Sequence, residues 1–136
     1  MTPLITFIDT GVLIAAARGQ GKIHEAALKI LKDPDREFSS SPFLKLEVLP
    51  KAVYNCQDLE VDFYQTYFDA VTHWANDLDS LVSKGYEEMI QFGLGAMDAL
   101  HVAAAVSVGS DEFITSEKRN KSIFRTTSIQ MVSIHL

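Results

Sequence analysis

Near the N-terminus, Leu4-Ile5-Thr6-Phe7-Ile8 runs apolar but for one small hydroxyl, then stops at an acid, Asp9. A short apolar run of this kind reads as a buried strand. The carboxylate at its end limits what can surround it. An ionised acid among apolar groups costs on the order of several kcal/mol unless it is paired, hydrogen-bonded or bound to a cation. A second lone acid, Asp98, opens the apolar stretch Ala99-Leu100-His101-Val102-Ala103-Ala104-Ala105. Two such acids, far apart in the chain and both at element ends, point to one shared cation site.

Between them the pattern alternates. A helix is predicted over about 11–18, broken by Gly19-Gln20-Gly21. A second, from about Ile23 to Lys32, places Ile23, Ala26, Ala27, Ile30 and Leu31 on one face. Asp33-Pro34-Asp35 ends it, and a short strand follows around Glu37 to Ser39. Ser41-Pro42 is a helix start, serine as cap and proline at the first position, for a helix reaching about Tyr54. Another helix spans about Leu59 to Val71 and a weak strand about His73 to Asp77. Ser80 to Phe92 reads as helix, Gly93-Leu94-Gly95 as a break, and the Asp98 helix runs to about Val108. Glu112 to Thr115 and Gln130 to Ile134 complete the pattern as strands. Strands alternating with helices predict an α/β fold of three layers, a mostly parallel sheet between two helical layers. No repeat or linker divides the 136 residues, so 1–136 is expected to be a single domain.

Composition narrows the function classes. The chain is 47% hydrophobic and 22% charged, ordinary for a globular protein. No apolar run approaches the roughly 20 residues of a membrane span, and the short first run lacks the basic flank of a signal peptide. No membrane partner is expected. The single cysteine, Cys56, excludes an internal disulfide and fits a reducing cytoplasm; it is expected as a small buried hydrophobe. A net charge of −6 counts against broad nonspecific nucleic-acid binding, but leaves room for a local basic patch.

Four acids are candidates for one site. Asp9 taken alone is equally well explained as the cap of the following helix, and Asp98 as a carboxylate welcome in a first helical turn. Glu47 taken alone would be a solvated helical glutamate, and Glu117, in Glu117-Lys118-Arg119-Asn120-Lys121, part of a solvated loop. Their separate elements can all be placed at the carboxyl edge of one parallel sheet, where sites in such folds form. Gathered carboxylates repel and call for cations, and hard oxygen donors select Mg²⁺ or Mn²⁺. Zinc is disfavoured because the four histidines are scattered and Cys56 stands alone. His101, one turn after Asp98, is expected to pack or to support the acids rather than ligate. Lys118 and Arg119, in the one dense basic cluster, are candidates for phosphate contact. Phe63, Tyr64, Tyr67, Phe68 and Trp74 are expected in the core or at a subunit contact. No Gly-rich phosphate loop and no Gly-x-Ser-x-Gly elbow is present.

In order and spacing these segments resemble the PIN-domain family, especially compact VapC-like toxin ribonucleases, over essentially the whole chain. Ile8-Asp9-Thr10-Gly11-Val12-Leu13-Ile14 is similar to that family's opening strand and first acid. Ser41 to Leu49 resembles the helix bearing the second, Asp98-Ala99-Leu100-His101-Val102-Ala103 the third-acid helix, and Phe113-Ile114-Thr115-Ser116-Glu117 the fourth segment. Two positions depart: Gly11 stands where the family often has asparagine or serine, and Glu117 where aspartate is usual. The resemblance implies hydrolysis of RNA phosphodiesters, dependent on Mg²⁺ or Mn²⁺, leaving 5′-phosphate and 3′-hydroxyl ends. Asp9, Glu47, Asp98 and Glu117 would be its catalytic and metal-binding acids, with Thr10, Thr115 and His101 in support. It also implies an antitoxin protein that occludes the site, and a homodimer that the aromatic helix near Phe63 to Trp74 would serve. The competing expectation is a PIN-like fold that has lost catalysis and acts as an RNA-binding or protein-interaction module. A DNA- or flap-directed nuclease is disfavoured by the short chain.

Overall fold

The computed structural model describes residues 2–135. In chain order it comprises β1 (Leu4–Ile8), α1 (Thr10–Arg18), α2 (Gly21–Leu31), β2 (Arg36–Ser40), α3 (Pro42–Tyr54) and α4 (Asp58–Ala70). Then follow β3 (His73–Trp74), α5 (Leu78–Phe92), α6 (Ala96–Ser107), β4 (Glu112–Thr115), a 3₁₀ turn at Ser122–Arg125 and β5 (Gln130–Ser133). The sheet has the order β3-β2-β1-β4-β5 and all four pairings are parallel. Helices flank the sheet, as the alternating pattern predicts.

β1 is central because it can afford water on neither face. Phe7 and Ile8 are fully buried, and Phe7 stacks on Phe113 of β4 with ring centroids 5.0 Å apart. Burying each such side chain stabilises the fold by roughly 1.5–3 kcal/mol. The strand's one hydroxyl, Thr6 Oγ1, donates to Glu112 at 3.4 Å, and Arg36 pairs there with both Glu112 (3.1 Å) and Asp33 (2.9 Å). Buried polar groups at the amino ends of the strands are thus satisfied among themselves. The chain lays β2 and β3 on one side of β1, then crosses to place β4 and β5 on the other. That reversal opens a crevice at the carboxyl end of β1, where α/β sheets bind ligands.

Several local details differ from the sequence expectations. β3 is two residues long rather than five: Ala75 N–H still donates to Ser40 O at 2.9 Å, but β2 ends there and offers nothing further. Asp77 instead caps α5, accepting from Ser80 N–H at 3.2 Å, so the helix starts at Leu78. Ser41 occupies the cap position of α3 without a side-chain capping bond, and its hydroxyl is buried. Cys56 is exposed rather than buried. It falls just past α3 in the left-handed region (φ 54°), where Gln57 N–H returns to Ala52 O and closes the helix end. The aromatic residues of α4 serve the core: Tyr64, Tyr67 and Phe68 are buried, and Trp74 packs on Phe68 beneath the Lys45 ammonium, 5.3 Å from its ring centre. Among the described residues no single helix is long and apolar enough to cross a membrane; α5 and α6 pass that test only as a pair bent by 117°.

Candidate functional site

Asp9 follows β1 directly and is 8% exposed. Its backbone N–H donates to Ile114 O of β4, extending the ladder by one bond. One carboxylate oxygen accepts from Thr10 N–H at 2.7 Å, the other from Thr115 Oγ1 at 2.9 Å. Asp9 is therefore a helix cap and something more, because the second bond joins it to the end of β4. Burial pushes its carboxyl above the ordinary range, against the opposing pull of His101 and of its two hydrogen bonds.

Glu47 is brought in from α3. Its Oε1 accepts from Thr10 Oγ1 at 2.9 Å and from His101 Nε2. The hydrogen bond from His101 lowers its pKa, outweighing partial burial. A glutamate that reads as solvated in sequence thus faces α1 and α6. Asp98, in the first turn of α6, has neither hydrogen bond nor ion pair among the described residues. Burial raises its pKa first and the charge of Asp9 second; Glu117 and Glu47 raise it further while His101 opposes. The other three acids therefore all lie within electrostatic reach of Asp98. Glu117 is exposed; its N–H donates to Thr115 Oγ1 at 3.1 Å and its carbonyl accepts from Ser133 Oγ at 2.6 Å. Thr115 thus serves both Asp9 and Glu117, as donor to one and acceptor from the other. Lys118 and Arg119 are exposed in the loop beyond, and neither makes an ion pair among the described residues.

The four acids share an edge without closing into a cage: among the described residues no three acidic, histidine or cysteine side chains stand close enough to hold an ion. The donor set nevertheless suits a hard divalent cation, being carboxylate oxygen throughout. Burial, which raises the pKa of Asp9 and Asp98, makes each a carboxylate whose ionised form such a cation would stabilise.

Sequence reasoning passed over three residues here. Ser116 fills the space beside Gly11: a Cβ on Gly11 would lie 2.1 Å from Ser116 Oγ. A hydroxyl therefore reaches the first turn of α1 from the β4 loop, and a glycine two residues after Asp9 was the available signal. Arg18 and Lys51 line a polar cleft of about 160 Å³ that also includes Glu47. Lys51 lies one helical turn after Glu47, a spacing legible in sequence, whereas Arg18 arrives only through the packing of α1. A larger, mostly apolar groove, about 410 Å³, lined by Leu31, Phe38, Leu59, Asp62, Phe63 and Tyr67 among others, contains none of the four candidate acids.

A family model described as PIN domain matches residues 6–125. No curated protein matches the chain by sequence. Solved structures do. VapBC2 of Rickettsia felis, bound to a promoter DNA fragment, superposes with TM-score 0.70 at 13% identity, covering 94% of this chain and 97% of that one. A toxin–antitoxin complex from Klebsiella pneumoniae gives 0.70 at 17% identity, covering 96% and 98%. VapC20 of Mycobacterium tuberculosis, a sarcin–ricin-loop-cleaving toxin, gives 0.62 at 16%, covering 79% and 86%. At these identities the likeness is one of fold.

Proposed function

We propose, from the premise that the chain belongs to the PIN domain family, that it is an endoribonuclease dependent on Mg²⁺ or Mn²⁺ and the toxin of a toxin–antitoxin pair. The observation that carries this reading is the placement of Asp98, a half-buried acid without hydrogen bond or ion pair among the described residues, whose pKa is raised by burial first and then by the nearby charges of Asp9, Glu117 and Glu47. Asp98 serves no evident purpose in stability, since the carboxylates around it add repulsion in a metal-free fold. The solved toxins and toxin–antitoxin complexes of the same fold support the biological setting.

In the proposed site Asp9, Glu47 and Asp98 hold the cation and Glu117 completes the set. A cation held there would supply a water of lowered pKa and would polarise the phosphoryl oxygen. Thr10 and Thr115 keep Asp9 and Glu47 oriented. Lys118 and Arg119 draw in neighbouring phosphates of the RNA, and Arg18 and Lys51 extend the track along the cleft beside Glu47. Water oxygen adds to phosphorus, the bond from phosphorus to the 3′ oxygen breaks, and that oxygen leaves with a proton, giving 5′-phosphate and 3′-hydroxyl ends. An antitoxin would inhibit by placing a basic side chain among the acids. The proposed homodimer would use the exposed Leu78, Val82, Tyr86 and Ile90 of α5, because the α4 aromatics are largely internal.

The test is cleavage of a mixed tRNA and ribosomal RNA pool with Mn²⁺, with Mg²⁺ and with chelator, wild type beside Asp9→Asn and Asp98→Asn. Discrete products that need metal and vanish in both variants support the proposal. Undiminished cleavage by Asp98→Asn would sink it. The open spacing of the acids favours a second reading, a noncatalytic RNA-binding or protein-interaction module. Mn²⁺ calorimetry separates the two, since such a module has no need of the ion.

A further inference from the structure

His101 is the most deeply buried polar ring near the acids, 1% exposed, with the Phe7 ring 5.9 Å from its own. Its Nε2 meets Glu47 Oε1, an oxygen that can only accept while ionised, so Nε2 carries the hydrogen. Nδ1 is buried and has no partner among the described residues. The ring is thus fixed by packing on one side and by its Nε2–H donor to α3 on the other.

Thr10 donates to the same oxygen, Oε1, at 2.9 Å, and Glu47 Oε2 receives no donor among the described residues. Two donors on one oxygen orient the carboxylate and keep the other oxygen open. His101 stands one turn beyond Asp98 on α6, so this contact also sets how Glu47 is placed relative to Asp98. We propose that His101 is a positioning residue: it holds Glu47 from behind and presents the free Oε2 toward a divalent cation shared with Asp98, and so sets the cation affinity of the site. The inference rests on the metal-site reading above. Hydrogen-bond partners of metal ligands commonly contribute about 10–100-fold in affinity.

The test is Mn²⁺ calorimetry, with thermal unfolding in chelator, on wild type, His101→Leu and His101→Gln. The glutamine amide can place an N–H where Nε2 stands; leucine cannot. Mn²⁺ affinity should fall by about 10–100-fold in His101→Leu and recover in His101→Gln, whatever the shift in unfolding temperature. A histidine that only packs would lower the unfolding temperature of both variants and leave the affinity of the folded protein unchanged, which overturns the proposal. If the leucine variant does not fold, His101→Asn replaces it, its shorter amide unable to reach Glu47; affinity equal to that of His101→Gln is then the refuting result. Wild type that binds no Mn²⁺ would overturn the metal-site reading and this inference with it, whereas wild type and His101→Leu binding alike would overturn only the inference.

Discussion

Replacing Gly11 by alanine should damage the protein, and removing the hydroxyl of Ser116 should repair it. A Cβ at position 11 would sit 2.1 Å from Ser116 Oγ and 3.4 Å from Ser116 Cβ. The second contact is tight but bearable; the first is more than an ångström too short. Ser116 must either rotate, at about 0.5–1.5 kcal/mol if forced off a rotamer, or shift its loop, at about 1–3 kcal/mol. Against this, alanine gains up to about 1 kcal/mol over glycine in a helix, less in the first turn. Gly11→Ala should therefore cost about 0–2 kcal/mol net, by the same terms. Ser116→Ala alone should lie within about 0.5 kcal/mol of wild type, as for other surface changes. The double variant keeps the helical gain without the clash and should equal or exceed wild type. Urea unfolding followed by circular dichroism reads this directly: with a slope of about 1–3 kcal/mol per molar, the midpoint of Gly11→Ala should fall by up to roughly 2 M and return in the double variant. Mn²⁺ affinity should fall and return in parallel, because Glu117 is the next residue along. Changes additive to within about 0.3 kcal/mol would refute the reasoning, since independent sites add.

Asp98→Asn should raise the unfolding temperature in chelator at pH 7.5, with a difference from wild type that shrinks as pH falls through the raised folded pKa of Asp98. A carboxyl whose folded pKa is raised keeps its proton more readily in the fold than in the unfolded chain, so stability is gained as pH falls through the folded value and reduced above it; a less stable variant at pH 7.5 is the contrary result. Glu47 works in the other sense: its lowered pKa contributes stability above the ordinary glutamate range that is lost as pH falls through the folded value. Thr115→Val removes a donor to buried Asp9 and the acceptor for Glu117 N–H, and should cost about 1–3 kcal/mol in chemical unfolding. Lys118→Ala with Arg119→Ala should weaken RNA binding at every sequence and reduce the salt slope by about 0.7 per lost phosphate contact; an unchanged slope would place the RNA elsewhere.

The strands and helices were legible because their signals are local. Leu4 to Ile8 is apolar on both faces, and Gly19 and Gly93 interrupt helices that otherwise continue. Where a boundary depended on a neighbour, the sequence was silent: β3 stops where β2 has no more carbonyls to offer, and Asp77 is free to cap only because of that. Residue type misleads at Cys56, whose exposure follows from landing two residues past the end of α3. At the site, Asp9 and Asp98 stood out as charges in apolar surroundings. Glu47 did not, because a helical glutamate facing a partner and one facing water look alike until α3 is packed against α1 and α6. The link between Gly11 and Ser116 is invisible for the same reason: one residue is a space and the other fills it, and β1 and β4 must be paired before either has meaning.

The amino and carboxyl ends of β1 treat charge in opposite ways. At one, Arg36 neutralises Asp33 and Glu112; about 10 Å along the strand, three residues on, Asp9 opens a set of acids without Lys or Arg partners among the described residues. A chain of net charge −6 that also carries such an edge repels a polyanion at the very place proposed to cut one. In the proposed function, loading with divalent ions would offset that negative charge, and the expected order of events is cation first, RNA second. On that reading the acids would act as a lock on the proposed substrate, released by the proposed metal.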